Sequence, residues 1–123
     1  MKRLSTQAII EHHLKKFFDR DLDGILDDYA DDAVMFTADG PLKGREAIRP
    51  VFVNLLAEFA KPGATFTLSK QEVVGDYGYI LWNARTAERV YELATDTFVV
   101  RDGKIRVQSF AARTVPVKVA MPA

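Results

Sequence analysis

The sequence predicts an α+β fold, with helices gathered in its first half and an antiparallel sheet in its second. Three observations carry this. Up to about residue 60 the apolar residues recur at spacings of three and four, and beyond Pro62-Gly63 the spacing changes to two. Strands that follow helices in one block are incompatible with a doubly wound parallel sheet, which alternates them. A length of 123 residues fits one domain, read here as residues 1–123.

Ile10, Leu14, Phe17 and Phe18 place the first helix over residues 6–18, with Thr6 as its N-cap and Glu11 near its positive end. Asp21 caps a second, shorter helix whose face carries Leu22, Ile25, Leu26 and Tyr29. Asp27, Asp28, Asp31 and Asp32 near its end read as solvated surface. Residues 34–37 form a short strand, and Asp39-Gly40-Pro41 a turn. Gly44 opens a third helix with Ile48, Phe52, Leu55, Leu56 and Phe59 inward. Pro50 lacks an N–H and restricts Arg49, so a kink or a separate first turn is expected there.

Four long strands follow, over residues 65–74, 77–87, 89–100 and 104–115. Arg101-Asp102-Gly103 joins the last two as a three-residue hairpin loop closed by a G1 bulge at Gly103. That loop sets Val100 opposite Lys104 and Asp96 opposite Gln108. Tyr79-Ile80-Leu81-Trp82 is apolar on both faces. With Tyr79 and Leu81 inward, Trp82 falls on the outer face, where a second copy of the chain would cover it; a homodimer through that face is expected.

Composition narrows the function classes. Seventeen basic and seventeen acidic residues cancel, leaving no basic excess of the kind a general nucleic-acid binder uses. With no cysteine there are no disulfides, thiolate metal sites or cysteine nucleophile. His12 and His13 are adjacent, diverge around a helix, and lack the HExxH spacing, so no metal site is read. The basic start Met1-Lys2-Arg3 has no apolar run behind it, and no apolar stretch approaches the roughly 18 residues that span a bilayer. A cytoplasmic protein without membrane contact is the expectation.

Three stretches together resemble the NTF2-like superfamily, specifically its SnoaL-like and ketosteroid-isomerase-like members. They are Asp21-Leu22-Asp23-Gly24-Ile25 leading to Tyr29-Ala30-Asp31-Asp32-Ala33-Val34; Leu42-Lys43-Gly44-Arg45-Glu46-Ala47-Ile48; and Thr95-Asp96-Thr97-Phe98-Val99-Val100-Arg101-Asp102-Gly103-Lys104-Ile105. The resemblance covers about residues 7–112. It implies three N-terminal helices packed on a curved antiparallel sheet that closes a cone-shaped pocket. It does not fix an activity, because the superfamily hosts isomerases, cyclases, dehydratases, epoxide hydrolases and non-catalytic binding modules.

Site residues follow from matched positions. In ketosteroid isomerases a first-helix tyrosine binds the substrate oxyanion, aided by a protonated aspartic acid on the third strand. His13 stands at the first position and Asp96 at the second. The carboxylate that moves the proton matches Thr37, which cannot serve as a base; Asp39, two residues on, is the substitute considered. Asp96 shares a strand face with Phe98, so its carboxyl is either buried beside aromatics with a raised pKa or solvated and paired with Arg106 or Arg113. Tyr29, Phe52, Phe59, Tyr79, Leu81, Phe98 and Phe110 are read as an apolar cavity wall, with Asn83 and Gln108 as polar points. The wall of an ordinary filled core has the same composition. An epoxide-hydrolase-like reading needs an Asp–Arg–Asp set, for which Arg85 and Arg113 are available. The leading expectation is a cofactor-independent enzyme that works by general acid–base chemistry on a hydrophobic carbonyl, enol or polyketide-like small molecule. Its rival is a non-catalytic binding module on the same fold.

Overall fold

The structure, a computed structural model, describes residues 5–117. The reading made from Met1-Lys2-Arg3 lies outside them. Three helices, α1 (Thr6–Phe18), α2 (Leu22–Asp27) and α3 (Arg45–Ala60), accompany six strands. The strands are β1 (Tyr29–Thr37), β2 (Gly40–Lys43), β3 (Thr65–Val74), β4 (Tyr77–Arg85), β5 (Arg89–Arg101) and β6 (Lys104–Pro116). They form one sheet in the order β2-β1-β6-β5-β4-β3. The four long strands pair antiparallel as the sequence predicts. β1 adds to β6 in parallel, so the sheet as a whole is mixed. α+β is the architecture.

Local differences have local causes. Ser5, not Thr6, caps α1: its hydroxyl accepts from Ala8 N–H, while Thr6 Oγ1 donates to the Gly75 carbonyl. Tyr29 does not extend α2. It opens β1 fully buried, and its carbonyl is taken by Arg45 Nε and Nη2 at 2.8 and 2.6 Å. That fork sits where the β1–β6 register breaks, between Tyr29 and Val34, and supplies a donor the ladder does not. β2 was hidden by its Gly-Pro start, yet it lies at a sheet edge, where proline costs no ladder bond. α3 runs unbroken through Pro50 with no separate first turn. Pro50 faces solvent, so water can serve the carbonyl its missing N–H would have bonded.

The β5–β6 hairpin turns on two residues, Asp102 and Gly103, both with positive φ, and Arg101 faces Lys104. A register shift between Val99 and Val100 then brings Phe98 opposite Gln108 and Asp96 opposite Phe110. The sequence-based pairing of Asp96 with Gln108 is thus off by two residues. Because the displacement is even, Asp96, Phe98, Gln108 and Phe110 still share one face.

Parity in β4 is the consequential correction. Gly78, Ile80, Trp82 and Ala84 face inward, and Tyr79, Leu81 and Asn83 lie on the other face. Gly78 explains the choice. A Cβ there would meet Ile10 Cδ1 at 2.2 Å, so α1 can approach the sheet only over a residue without one. The core beneath α1 is built from Ile9, Ile10, Ile25, Ile48, Phe98 and Ile105, each almost fully buried.

Candidate functional site

A cavity of about 70 Å³ lies between α1, α3 and the inner face of the sheet. Asp96, Gln108 and His13 are the polar residues of its wall. Of the residues the sequence nominated, Phe52, Phe59, Phe98 and Phe110 also line it. Tyr79, Leu81 and Asn83 do not, since they lie on the opposite face of β4. Asp39 is exposed on the turn between β1 and β2, where its N–H binds Thr37 Oγ1, and it cannot reach the cavity. Tyr29 stands behind the wall rather than in it. Trp82, assigned to the outer face from sequence, is buried in the wall between Phe66 and Phe110, with ring centroids 5.2 and 6.1 Å away.

Asp96 is buried, with 7% of its surface exposed. Its Oδ1 accepts from Trp82 Nε1 at 2.7 Å and its Oδ2 from Gln108 Nε2 at 2.8 Å. Burial pushes its pKa above the usual carboxylate value, against the pull of those two N–H groups and of His13. Neither Arg106 nor Arg113 pairs with it: Arg106 reaches Asp32 and Asp102, and Arg113 reaches Glu92. Arg113 and Arg85 are both exposed, so no Asp–Arg–Asp set forms in the cavity.

Behind Asp96 runs a buried polar chain. The Tyr29 hydroxyl donates to Gln108 Oε1 and lies 3.3 Å from His13 Nε2, and His13 Nδ1 lies 3.3 Å from Asp28 Oδ2. His12 joins from the solvent side, with Nδ1 2.8 Å from Asp28 Oδ1. Asp28 is therefore no solvated surface acid. It is buried and holds both histidines, its burial imposed by the tight α2–β1 junction. The His13 ring packs edge-on against Tyr29, Phe52 and Phe98. Burial raises the Tyr29 pKa well above the usual phenol value, helped by the Asp96 and Asp28 charges, so Tyr29 stays a neutral donor.

The chain's polarity follows from counting protons. Gln108 Nε2 donates to Asp96 and Tyr29 donates to Gln108 Oε1, which leaves the Tyr29 oxygen facing His13 Nε2. With Asp96 protonated, a half-turn of the Gln108 amide reverses the Gln108 and Tyr29 donors. The chain can thus serve either form of the Asp96 carboxyl without leaving its amide or hydroxyl unpaired. Among the described residues no buried side-chain polar atom lacks a partner.

A family model of the SnoaL-like domain matches residues 10–108. The chain belongs to the SnoaL-like family. No curated protein matches the sequence. Solved structures similar to this SnoaL-like chain include the epoxide hydrolase/cyclase-like enzyme SalBIII, which acts in pyran ring formation in polyether salinomycin. It is 16% identical over 88% of this chain and 90% of its own, with a TM-score of 0.75. A provisionally named ketosteroid isomerase from Kribbella flavida is 13% identical over 96% and 82%, with a TM-score of 0.72. A provisionally named polyketide cyclase from Sinorhizobium meliloti is 20% identical over 83% and 92%, with a TM-score of 0.67. At such identities the likeness shows the NTF2-like fold of this SnoaL-like chain and leaves its chemistry to its own residues. Among the described residues no helix is long and apolar enough to cross a membrane.

Proposed function

We propose that the chain is a cofactor-independent enzyme that works by general acid–base chemistry on a hydrophobic carbonyl, enol or polyketide-like small molecule, with Asp96 exchanging the proton. The observation that carries this reading is a carboxyl with a raised pKa in the wall of an apolar cavity, held by two N–H donors and no cation. Each Asp96 oxygen keeps a lone pair beyond the one its donor uses, so the carboxylate can take a proton from a carbon next to a carbonyl and return it elsewhere. A raised pKa makes it a stronger base than an exposed aspartate and, once protonated, an acid that works closer to neutrality. Both His13 nitrogens are engaged within the protein, so His13 acts through Tyr29 and Gln108 as a positioning residue rather than touching the substrate.

Exchange of α-protons for deuterium in a flat hydrophobic ketone such as 2-tetralone, followed by NMR, tests the reading. The native protein should accelerate exchange, and Asp96→Asn should lower the rate by about 10²–10⁴-fold with the fold intact. Equal rates with both proteins would reject Asp96 as the proton-exchanging group. One observation favours a rival, a non-catalytic module that uses the sheet face rather than the cavity: a volume of about 70 Å³ falls below the roughly 300 Å³ of small-ligand sites. Tight ligand binding with no exchange in any ketone would select instead a binding module that uses the cavity.

Self-association through the outer sheet face belongs to the same proposal, now with other residues than Trp82. Tyr77 and Leu93 are 56% and 47% exposed there, and Tyr79 and Leu81 lie between them, half-buried. A dimer should bury on the order of 1,000 Å² or more. Light scattering at micromolar concentration should give twice the chain mass, and Leu93→Asp should return it to the monomer value. A monomer in the native protein would reject this interface.

A further inference from the structure

Phe17, Phe59 and Phe66 border the inner cavity and also a second, outer cavity of about 280 Å³ at the C-terminal end of α1. The partition between the two is a layer of phenyl rings. Phe17 stands edge-on to Phe59 at 5.3 Å, and Phe18, half exposed at the rim, stands edge-on to Phe66 at 5.0 Å. Edge-on rings move apart by side-chain rotation alone, so a slender apolar chain can pass from one space to the other. Together the two spaces reach the size of ordinary small-ligand sites.

One charged residue lines the outer cavity, Arg20. Its backbone is left-handed, with φ 58°. Arg20 N–H donates to the Phe17 carbonyl at 3.0 Å and Asp21 N–H to the Lys16 carbonyl at 2.9 Å, the pair of bonds of a Schellman helix ending. Glycine is the residue that this position favours, and a side chain there carries strain. The neighbouring acids do not explain the arginine. Asp19 pairs with Lys15 at 2.7 Å and Asp21 with Lys16 at 3.5 Å, while among the described residues the Arg20 guanidinium has no ion pair. A strained position thus holds an uncommitted cation at the mouth of an aromatic passage.

We infer that Arg20 binds the anionic end of the ligand, and that the site selects hydrophobic carboxylic acids whose apolar part crosses the phenyl layer into the inner cavity. The inference rests on the reading of the inner cavity as the ligand site. The guanidinium fork matches a carboxylate in two parallel hydrogen bonds, a geometry that a neutral head group cannot reproduce.

Decanoate and 1-decanol are suitable probes, because they differ only in the head group. The chain has one tryptophan, Trp82, and it lines the inner cavity, so its fluorescence reports occupancy there. Decanoate should bind at least tenfold more tightly than decanol at pH 7. Arg20→Gly should bring the two affinities together while the thermal midpoint stays level or rises, since glycine relieves the strain. Arg20→Gln, which keeps the strained backbone, should lose the preference as well. Equal affinity of the two probes for the native protein would overturn the carboxylate site and leave the inner-cavity reading standing. If neither probe perturbed Trp82 up to its solubility limit, both would fall.

Discussion

Trp82→Ala is expected to destabilise the fold by about 3–5 kcal/mol, the cost of emptying a large buried aromatic site that cannot fully collapse. The ring stacks between Phe66 and Phe110 and packs at 5.3 Å against Tyr91, so its loss leaves three aromatic faces without a neighbour. The indole also donates to Asp96 Oδ1, and that bond lowers the Asp96 pKa. Removing it should therefore move the carboxyl further up. Trp82→Phe separates the two effects: most of the ring remains, the N–H is gone, and the expected loss is about 1.5–3 kcal/mol, that of a hydrogen bond to a charged group. Urea unfolding of the three proteins gives the energies. An alanine variant as stable as the native protein would place Trp82 outside the core.

Asp96→Asn is expected to gain stability over the native protein as pH rises from 4 to 8. Folding lifts the Asp96 pKa above the usual 3.8. The folded state therefore holds this proton to a higher pH than the unfolded chain does. The resulting contribution is fully present below pH 3.8 and is lost as pH climbs through the folded-state pKa. The loss amounts to about 1.4 kcal/mol for each pH unit that separates the folded from the unfolded value. Asparagine does not titrate, so the variant escapes that loss. It also imitates the protonated acid: its amide donates to Gln108 Oε1 once the Gln108 side chain turns over, and the chain through Tyr29 to His13 then runs in reverse. Thermal unfolding across the pH range measures the difference. A variant that falls steadily behind the native protein as pH rises would mean that the carboxylate is stabilised by folding.

The elements of the fold were legible because their periods differ. The four strands beyond residue 64 were found within two residues of their observed ends, and α1 end to end, whereas β1 starts five residues earlier than the sequence reading placed it. Facing in β4 was not legible, because Tyr79-Ile80-Leu81-Trp82 is apolar at every position and a period of two cannot choose between equal faces. Gly78 held the missing signal, since a glycine in a strand marks a close approach, here of Ile10. Asp96 was found because it shares a strand face with Phe98, and Phe52 and Phe59 because they follow the helical period of α3, whereas Phe17 and Phe66, which also line the cavity, were not nominated for its wall. Asp28 was missed for a different reason. It sits in a run of four acids that reads as surface, and the histidines that hold it lie sixteen and fifteen residues earlier, beyond any periodic signal. Arg20 left no sequence trace, since only the backbone shows that it occupies a glycine's position.

Carboxyl carbon NMR titration of Asp96, assigned by its loss in Asp96→Asn, bears most directly on the central claim that this acid is a buried proton-exchanging group without an ion pair. The predicted result is a midpoint clearly above 3.8, moving higher still in Trp82→Phe as one of its two N–H donors disappears. A midpoint at or below 3.8, unmoved by loss of the indole, would contradict it and leave Asp96 an ordinary carboxylate with no part in acid–base chemistry.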